Sequence, residues 1–180
     1  MMKKFLALSA ILCAMLSVVS AHAKPDTVPE VVLDAYLGEW YEIGRLPMPF
    51  QNKCVSDVKA TYALKNNGKI SVHNECLTRS GKLSTAKGEA YAIDDTNAKL
   101  KVSFLPSILK KLPFGQADYW VLALDGENDR YQSALVGTPN RKYLCILSRN
   151  KSLDDATYER YLRIAKQSGY DLASFQKTAQ

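Results

Sequence analysis

Val58-Lys59-Ala60-Thr61-Tyr62-Ala63-Leu64, Lys65-Asn66-Asn67-Gly68-Lys69 and Ile70-Ser71-Val72-His73-Asn74-Glu75-Cys76 form the stretch on which the fold turns. In its first arm Val58, Ala60, Tyr62 and Leu64 alternate with Lys59, Thr61 and Ala63, the period of two that a half-buried strand requires. Asn66-Asn67-Gly68 accommodates positive φ and suits a tight hairpin. The second arm returns with Ile70, Val72, Asn74 and Cys76 set against Ser71, His73 and Glu75. A lone hairpin is marginal in water, so the rest of its sheet must lie in the flanking sequence.

The same period continues on both sides. Glu39–Arg45 precedes the hairpin; Lys87–Asp94, Lys99–Leu105, Tyr119–Leu124, Tyr131–Val136 and Lys142–Ser148 follow it. Short strands with turn signals between them and no βαβ alternation predict an all-β sandwich or barrel. One helix is predicted after them. Ser152-Leu153-Asp154-Asp155 reads as its capping sequence, with Ser152 supplying the oxygen for orphan amides. Tyr158, Tyr161, Leu162 and Ala165 recur at helical spacing, and Gly169 is the stop. That apolar stripe would pack against the outside of a barrel.

Connection lengths divide the strand ends into two sets. The turns at 66–68, 94–97 and 125–130 are short and polar, whereas 45–53, 77–87, 105–118 and 137–142 are mostly longer. Alternate connections of an up-and-down barrel fall at the same end. One end is therefore expected to be closed by tight turns and the other ringed by larger loops.

Length and composition agree with one exported domain. The chain has 180 residues, 47% hydrophobic and 23% charged, as in ordinary globular proteins. Residues 1–23 read as a secretory leader: basic Met1–Lys4, apolar Phe5–Val19, then Ala21-His22-Ala23 before polar Lys24-Pro25-Asp26. The apolar run is shorter than the roughly 20 residues that span a bilayer. Leu12 stands before Cys13 where a lipid-modified cysteine wants a small residue. The expected domain is 24–180, periplasmic or secreted, with 22 basic and 18 acidic residues. A charge so mild and dispersed does not suit nucleic acid. With His73 its only histidine, and no G-x-S-x-G or H-E-x-x-H motif, the domain is not expected to be an enzyme.

Gly38-Glu39-Trp40-Tyr41 resembles the G-x-W-Y signature that opens the first strand of lipocalins. Arg149, closing Cys145-Ile146-Leu147-Ser148-Arg149, matches the arginine that packs across that tryptophan in the family. Asn128-Asp129-Arg130-Tyr131 matches the middle signature in part. Tyr36–Ile43, Ala60–Leu64, Ala98–Phe104 and Tyr119–Leu124 are similar to bacterial outer-membrane lipocalins and to their animal relative, apolipoprotein D. The similarity spans about 30–175. It implies an eight-stranded antiparallel up-and-down lipocalin barrel with one C-terminal α-helix packed outside. It also implies carriage of fatty acids or lysophospholipids in the bacterial cell envelope, for membrane maintenance. The leader departs from the lipobox usual in those bacterial members, which favours a soluble periplasmic or secreted form, while the resemblance keeps outer-membrane association as an alternative. The alternatives are a carrier of tetrapyrroles or other hydrophobic metabolites, a lipocalin-fold enzyme, and a module that binds protein through its mouth loops.

Alternation turns Val58, Ala60, Tyr62, Val72, Asn74, Phe104, Tyr119, Val121, Leu135 and Cys145 inward. Periodicity cannot separate a packed core from a pocket wall; the resemblance implies a wall. Glu42, Asn74 and the tyrosine hydroxyls would be polar points in an apolar sleeve. About a dozen buried methylenes would gain ~10 kcal/mol before ordering costs. Cys54 precedes one hairpin strand and Cys76 ends the other, so a disulfide is expected in an oxidising compartment. His73 has the opposite parity to Cys76, which disfavours a metal site there. Cys145 is left unpaired, as a small buried hydrophobe rather than a reactive thiol. The apolar loops at 45–53 and 105–118 would gate the pocket, fold onto their own barrel mouth or touch a membrane surface. No cofactor is expected, and the chain would act as a monomer or weak homodimer.

Overall fold

The computed structural model describes residues 23–106, 115–127 and 129–180. Residues 1–22 of the expected leader, residues 107–114 of the 105–118 connection and Asn128 of the middle signature lie outside the described residues. A short helix α1 (Leu33–Tyr36) leads into β1 (Gly38–Arg45), followed by a 3-10 turn at Pro49–Gln51. Next come β2 (Cys54–Leu64), β3 (Ile70–Thr78), β4 (Leu83–Ala92) and β5 (Lys99–Ser103). Strands β6 (Ala117–Glu127), β7 (Arg130–Gly137) and β8 (Leu144–Ser148), helix α2 (Asp155–Gln167) and the short β9 (Gln176–Lys177) complete the order.

From β2 to β8 each strand pairs antiparallel with the next; β8 then pairs with β1 and β1 with β2. Closure removes the free edges that an open sheet would expose. Eight strands form the barrel, as their alternation requires. Helix α2 lies outside, burying Tyr158, Tyr161 and Ala165 among Ile43, Leu122, Leu135 and Ile146. Its N-cap is Asp154, whose carboxylate accepts from the Thr157 amide at 2.9 Å. Ser152, the expected cap, instead accepts through its carbonyl from Ser148 Oγ at 3.2 Å. The carboxylate takes the position because it faces the positive end of the helix as well as the free amides.

Three features depart from the sequence reading. Leu135 was expected to face inward, but it is fully buried outside the barrel, beneath α2. Val121 pairs with Val136, and Val136 with Cys145; a register shift between Val121 and Ala123 then sets Ala123 opposite Leu135. A one-residue offset exchanges the two faces, so Val136 takes the inward place. The 77–87 connection is not a long loop, because β3 and β4 extend into it and leave 79–82 as the turn. Finally, β9 was not anticipated. Gly38–Tyr41 of β1 pairs with β2, but Gly44 and Arg45 pair with Lys177 and Gln176. Beside them the Asp57 amide donates to the Ala179 carbonyl at 2.9 Å. Residues 176–180 thus fill the seam between β1 and β2 toward the open end. A Cβ on Gly44 would stand 2.8 Å from the Phe175 ring and 3.0 Å from the Gln176 carbonyl, so the strap needs glycine there.

Cys54 and Cys76 form the disulfide, with Cα atoms 5.5 Å apart. It pins the start of β2 to the end of β3 at the open end. Because it restrains the unfolded chain over a separation of 22 residues, replacing both cysteines by serine should lower stability by about 3 kcal/mol. Urea unfolding checks this; a midpoint unchanged from the oxidised protein would refute it.

Candidate functional site

The interior is a pocket. Its lower part is a lumen of about 170 Å³, opening into a wider mouth of about 680 Å³. A water needs only about 10–15 Å³ of such space, so side chains do not fill the barrel. Val58, Ala60, Tyr62, Val72, Tyr119, Val121 and Cys145 line the lumen together, each from the inward face of its strand. Phe104 lies just beyond β5 at the rim, 44% exposed, and lines both lumen and mouth. Lining residues not anticipated include Tyr36 and Leu37, Val102 and Val136. Tyr36 lies on α1, outside the alternating strands, so strand parity carried no signal for it.

The closed end is a stack built on the signature residues. Trp40 is fully buried, with Tyr36 above it at 4.9 Å between ring centroids and the Arg149 guanidinium 3.8 Å from its own ring. Its indole N–H donates to the Tyr36 carbonyl at 2.8 Å. Arg149 donates to the carbonyls of Glu39 (2.7 Å), Leu37 (2.8 Å), Ala35 (2.9 Å) and Tyr131 (3.1 Å). One planar fork thus ties α1, β1 and β7 together and satisfies carbonyls at the C-terminal end of α1. Gly38, at φ +95°, turns the chain from α1 into β1 beside this guanidinium.

Above Trp40 the polar points divide into two groups. The Tyr119 hydroxyl bonds Tyr36 at 2.7 Å and Tyr62 at 3.2 Å. Two bonds among three hydroxyls leave one O–H proton without a partner inside the trio, available to an acceptor on a ligand. Burial, first of all, holds Tyr36 and Tyr119 well above the usual phenol range and pushes Tyr62 up to about 12. Burial also pushes Tyr161 and Tyr170, on and after α2, up to about 12. Since these values are raised on folding, the stability they confer is whole below pH 10 and is lost as pH rises from 10 through about 12. Tyr158 is raised by burial as well, so absorbance titration should show these six of the 10 tyrosines ionising above the ordinary phenol range in the folded protein. All ten titrating near pH 10 in the folded protein would contradict this.

The second group surrounds Glu42, which is buried on the lumen wall. Its carboxylate accepts from Arg45 at 2.6 Å, Thr178 at 2.7 Å and Gln51 at 3.3 Å. Expected as a free polar point, it is already engaged, and it ties the strap and the β1–β2 loop to the wall. The Cys145 thiol lies 3.9 Å from it. Burial, then the charge of Glu42, pushes that thiol well above its ordinary range, against thiolate chemistry. Asn74 Oδ1 and Gln51 Oε1 are buried at the pocket wall without a partner among the described residues. Because Gln51 gives its amide N–H to Glu42, its oxygen is the atom left over. Phe50 meets Tyr143 edge-on at 5.4 Å across the mouth, so the β1–β2 loop covers part of the opening. His73 alternates with the lining residues Val72 and Asn74 and so points outward.

Comparison with known proteins agrees with this geometry. The profile of the lipocalin-like domain matches residues 31–180. Temperature-induced lipocalin-1 of Arabidopsis thaliana is 40% identical over 86% of this chain and 82% of its own. Outer membrane lipoprotein Blc of Vibrio cholerae is 35% identical over 92% and 93%. Apolipoprotein D of Macaca fascicularis is 35% identical over 81% and 75%. Among solved structures, lobster apocrustacyanin A1 superposes with a TM-score of 0.61 at 20% identity, covering 81% of this chain and 78% of that one. With its barrel, its Trp40–Arg149 closure and these relatives, the chain belongs to the lipocalin family.

Proposed function

We propose that this lipocalin binds fatty acids or lysophospholipids in its lumen and carries them in the cell envelope without chemical turnover. The observation that carries this reading is the form of the pocket: a narrow apolar lower part beneath a wider and more polar mouth. One acyl chain would occupy the sleeve formed by Val58, Ala60, Val72, Tyr119 and Val121. Its head would lie near Asn74 and Gln51, whose oxygens would accept hydrogen bonds from the hydroxyl or ammonium of a lysophospholipid. A chain of this length gains enough from burial for micromolar or tighter binding after ordering costs. The leader at 1–23 would direct export, and the protein would act as a monomer or weak homodimer. The reading without turnover is supported by the Cys145 thiol, which burial and the charge of the neighbouring Glu42 carboxylate hold against ionisation, and by His73, which faces away from the lumen.

The experiment is native mass spectrometry of protein purified without detergent, then delipidated and offered lysophosphatidylethanolamine and oleate. A one-to-one adduct in either condition supports the reading. A clean unliganded mass that takes up neither lipid overturns it.

A further inference from the structure

The charges of this barrel are sorted by end. Among the described residues, the four open-end connections, at 45–56, 77–86, 104–106 with 115–118, and 137–144, hold six lysines and arginines against one acidic residue, Asp118, which is ion-paired with Lys101. The closed-end segments, at 28–37, 65–69, 93–98, 125–130 and 149–155, hold nine acidic and five basic residues. The charge is therefore unevenly distributed along the barrel axis, positive at the mouth and negative at the closed end. Lys53, Arg79, Lys82 and Lys142 are exposed at the mouth, and none of them is ion-paired among the described residues. Four exposed apolar side chains share this end: Phe50 at 63%, Leu83 at 61%, Val55 at 44% and Phe104 at 44%.

We propose that this open rim is a docking face for an anionic lipid bilayer, with the barrel axis upright and the lumen opening onto the headgroups. Charge complementarity selects this occupant. A ring of unpaired cations attracts an anionic surface with roughly additive strength per charge, and it would be screened by salt. The apolar tips would enter the interface only after that approach, as amphipathic anchors do. A protein partner would have to present an acidic rim shaped to four separate loops, whereas a bilayer needs no such complementarity. The closed end, net acidic, would be repelled and would point away. Arg79, Lys82 and Leu83 belong to the β3–β4 hairpin, so the face extends beyond the two apolar loops and past the pocket wall. The inference gains its purpose from the lipid-carrier reading, but its chemistry is independent of the ligand.

Flotation with phosphatidylcholine vesicles, with and without about a third phosphatidylglycerol, tests it. The folded domain should partition onto the anionic vesicles at low salt and detach in 0.5 M salt. Arg79→Glu with Lys82→Glu should weaken partitioning at least tenfold. Arg130→Glu, a charge reversal at the exposed closed-end start of β7, should weaken it far less. Equal binding to neutral and anionic vesicles, wild-type binding by the hairpin variant, or an equal loss in Arg130→Glu would each overturn docking by the rim. Lysolipid uptake is measured on the same samples. Uptake without vesicle binding leaves the carrier reading intact and removes this inference; vesicle binding without uptake does the reverse.

Discussion

Ala60→Trp is expected to abolish lipid uptake while leaving the barrel folded. Ala60 lies opposite Trp40 on β1 and Asn74 on β3, and it lines the lumen with no more than a methyl group. An indole there would project into open space rather than into packed neighbours. It would take the place of several methylenes of an acyl chain, each worth about 0.8 kcal/mol of burial. Excluding even four of them costs about 3 kcal/mol, or more than a hundredfold in affinity. Stability should change little, because the side chain fills a cavity instead of overpacking a core. Displacement of a lumen-bound fluorescent probe, or native mass spectrometry with lysophosphatidylethanolamine, reads the result. Wild-type uptake by this variant would place the ligand outside the lumen.

The reason Ala60 could be chosen from its pattern, and Leu135 could not, shows what the sequence encodes. On β2 and β3 the alternation runs unbroken through Lys59–Leu64 and Ile70–Cys76, and the Asn-Gly turn fixes the register between them. Parity there carries over to the lumen directly. On β6 the shift after Val121 turns both Leu122 and Ala123 toward α2, and no local residue type announces it. Both faces of β7 are apolar, since one meets the lumen and the other the helix, so hydrophobicity could not choose between Leu135 and Val136. The barrel and its closure were legible because several local signals agreed. The strap at 176–180 and the partners it brings to Glu42 were not, since two residues of strand pairing leave no periodicity to read. Neither a parity count nor a motif shows that Glu42 is saturated. That depends on Gln51 and Thr178, 9 and 136 residues away in sequence.

Trp40→Ala should cost about 3–5 kcal/mol, the range for removing a large aromatic from a packed site. Three losses act together. The indole is fully buried, so its removal leaves a cavity between Tyr36 and Arg149 that the rigid barrel floor cannot collapse to fill. The Tyr36 carbonyl loses the indole N–H that it accepts at 2.8 Å. The guanidinium of Arg149 keeps its four carbonyl acceptors but loses the ring that shields it, leaving a partly buried charge above a void. For a domain of ordinary stability, 5–15 kcal/mol, this is a large share of the whole. Chemical denaturation should show a much lower midpoint with an unchanged slope, since the folded barrel and the exposed chain stay the same in extent. A loss below about 1 kcal/mol would show that the barrel closes without the stack, and that the Arg149 hydrogen bonds alone hold α1 to β1 and β7. Arg149→Lys separates the two contributions. An ammonium keeps the charge near the ring but cannot span four carbonyls in one plane, so it should fall between Trp40→Ala and the wild type.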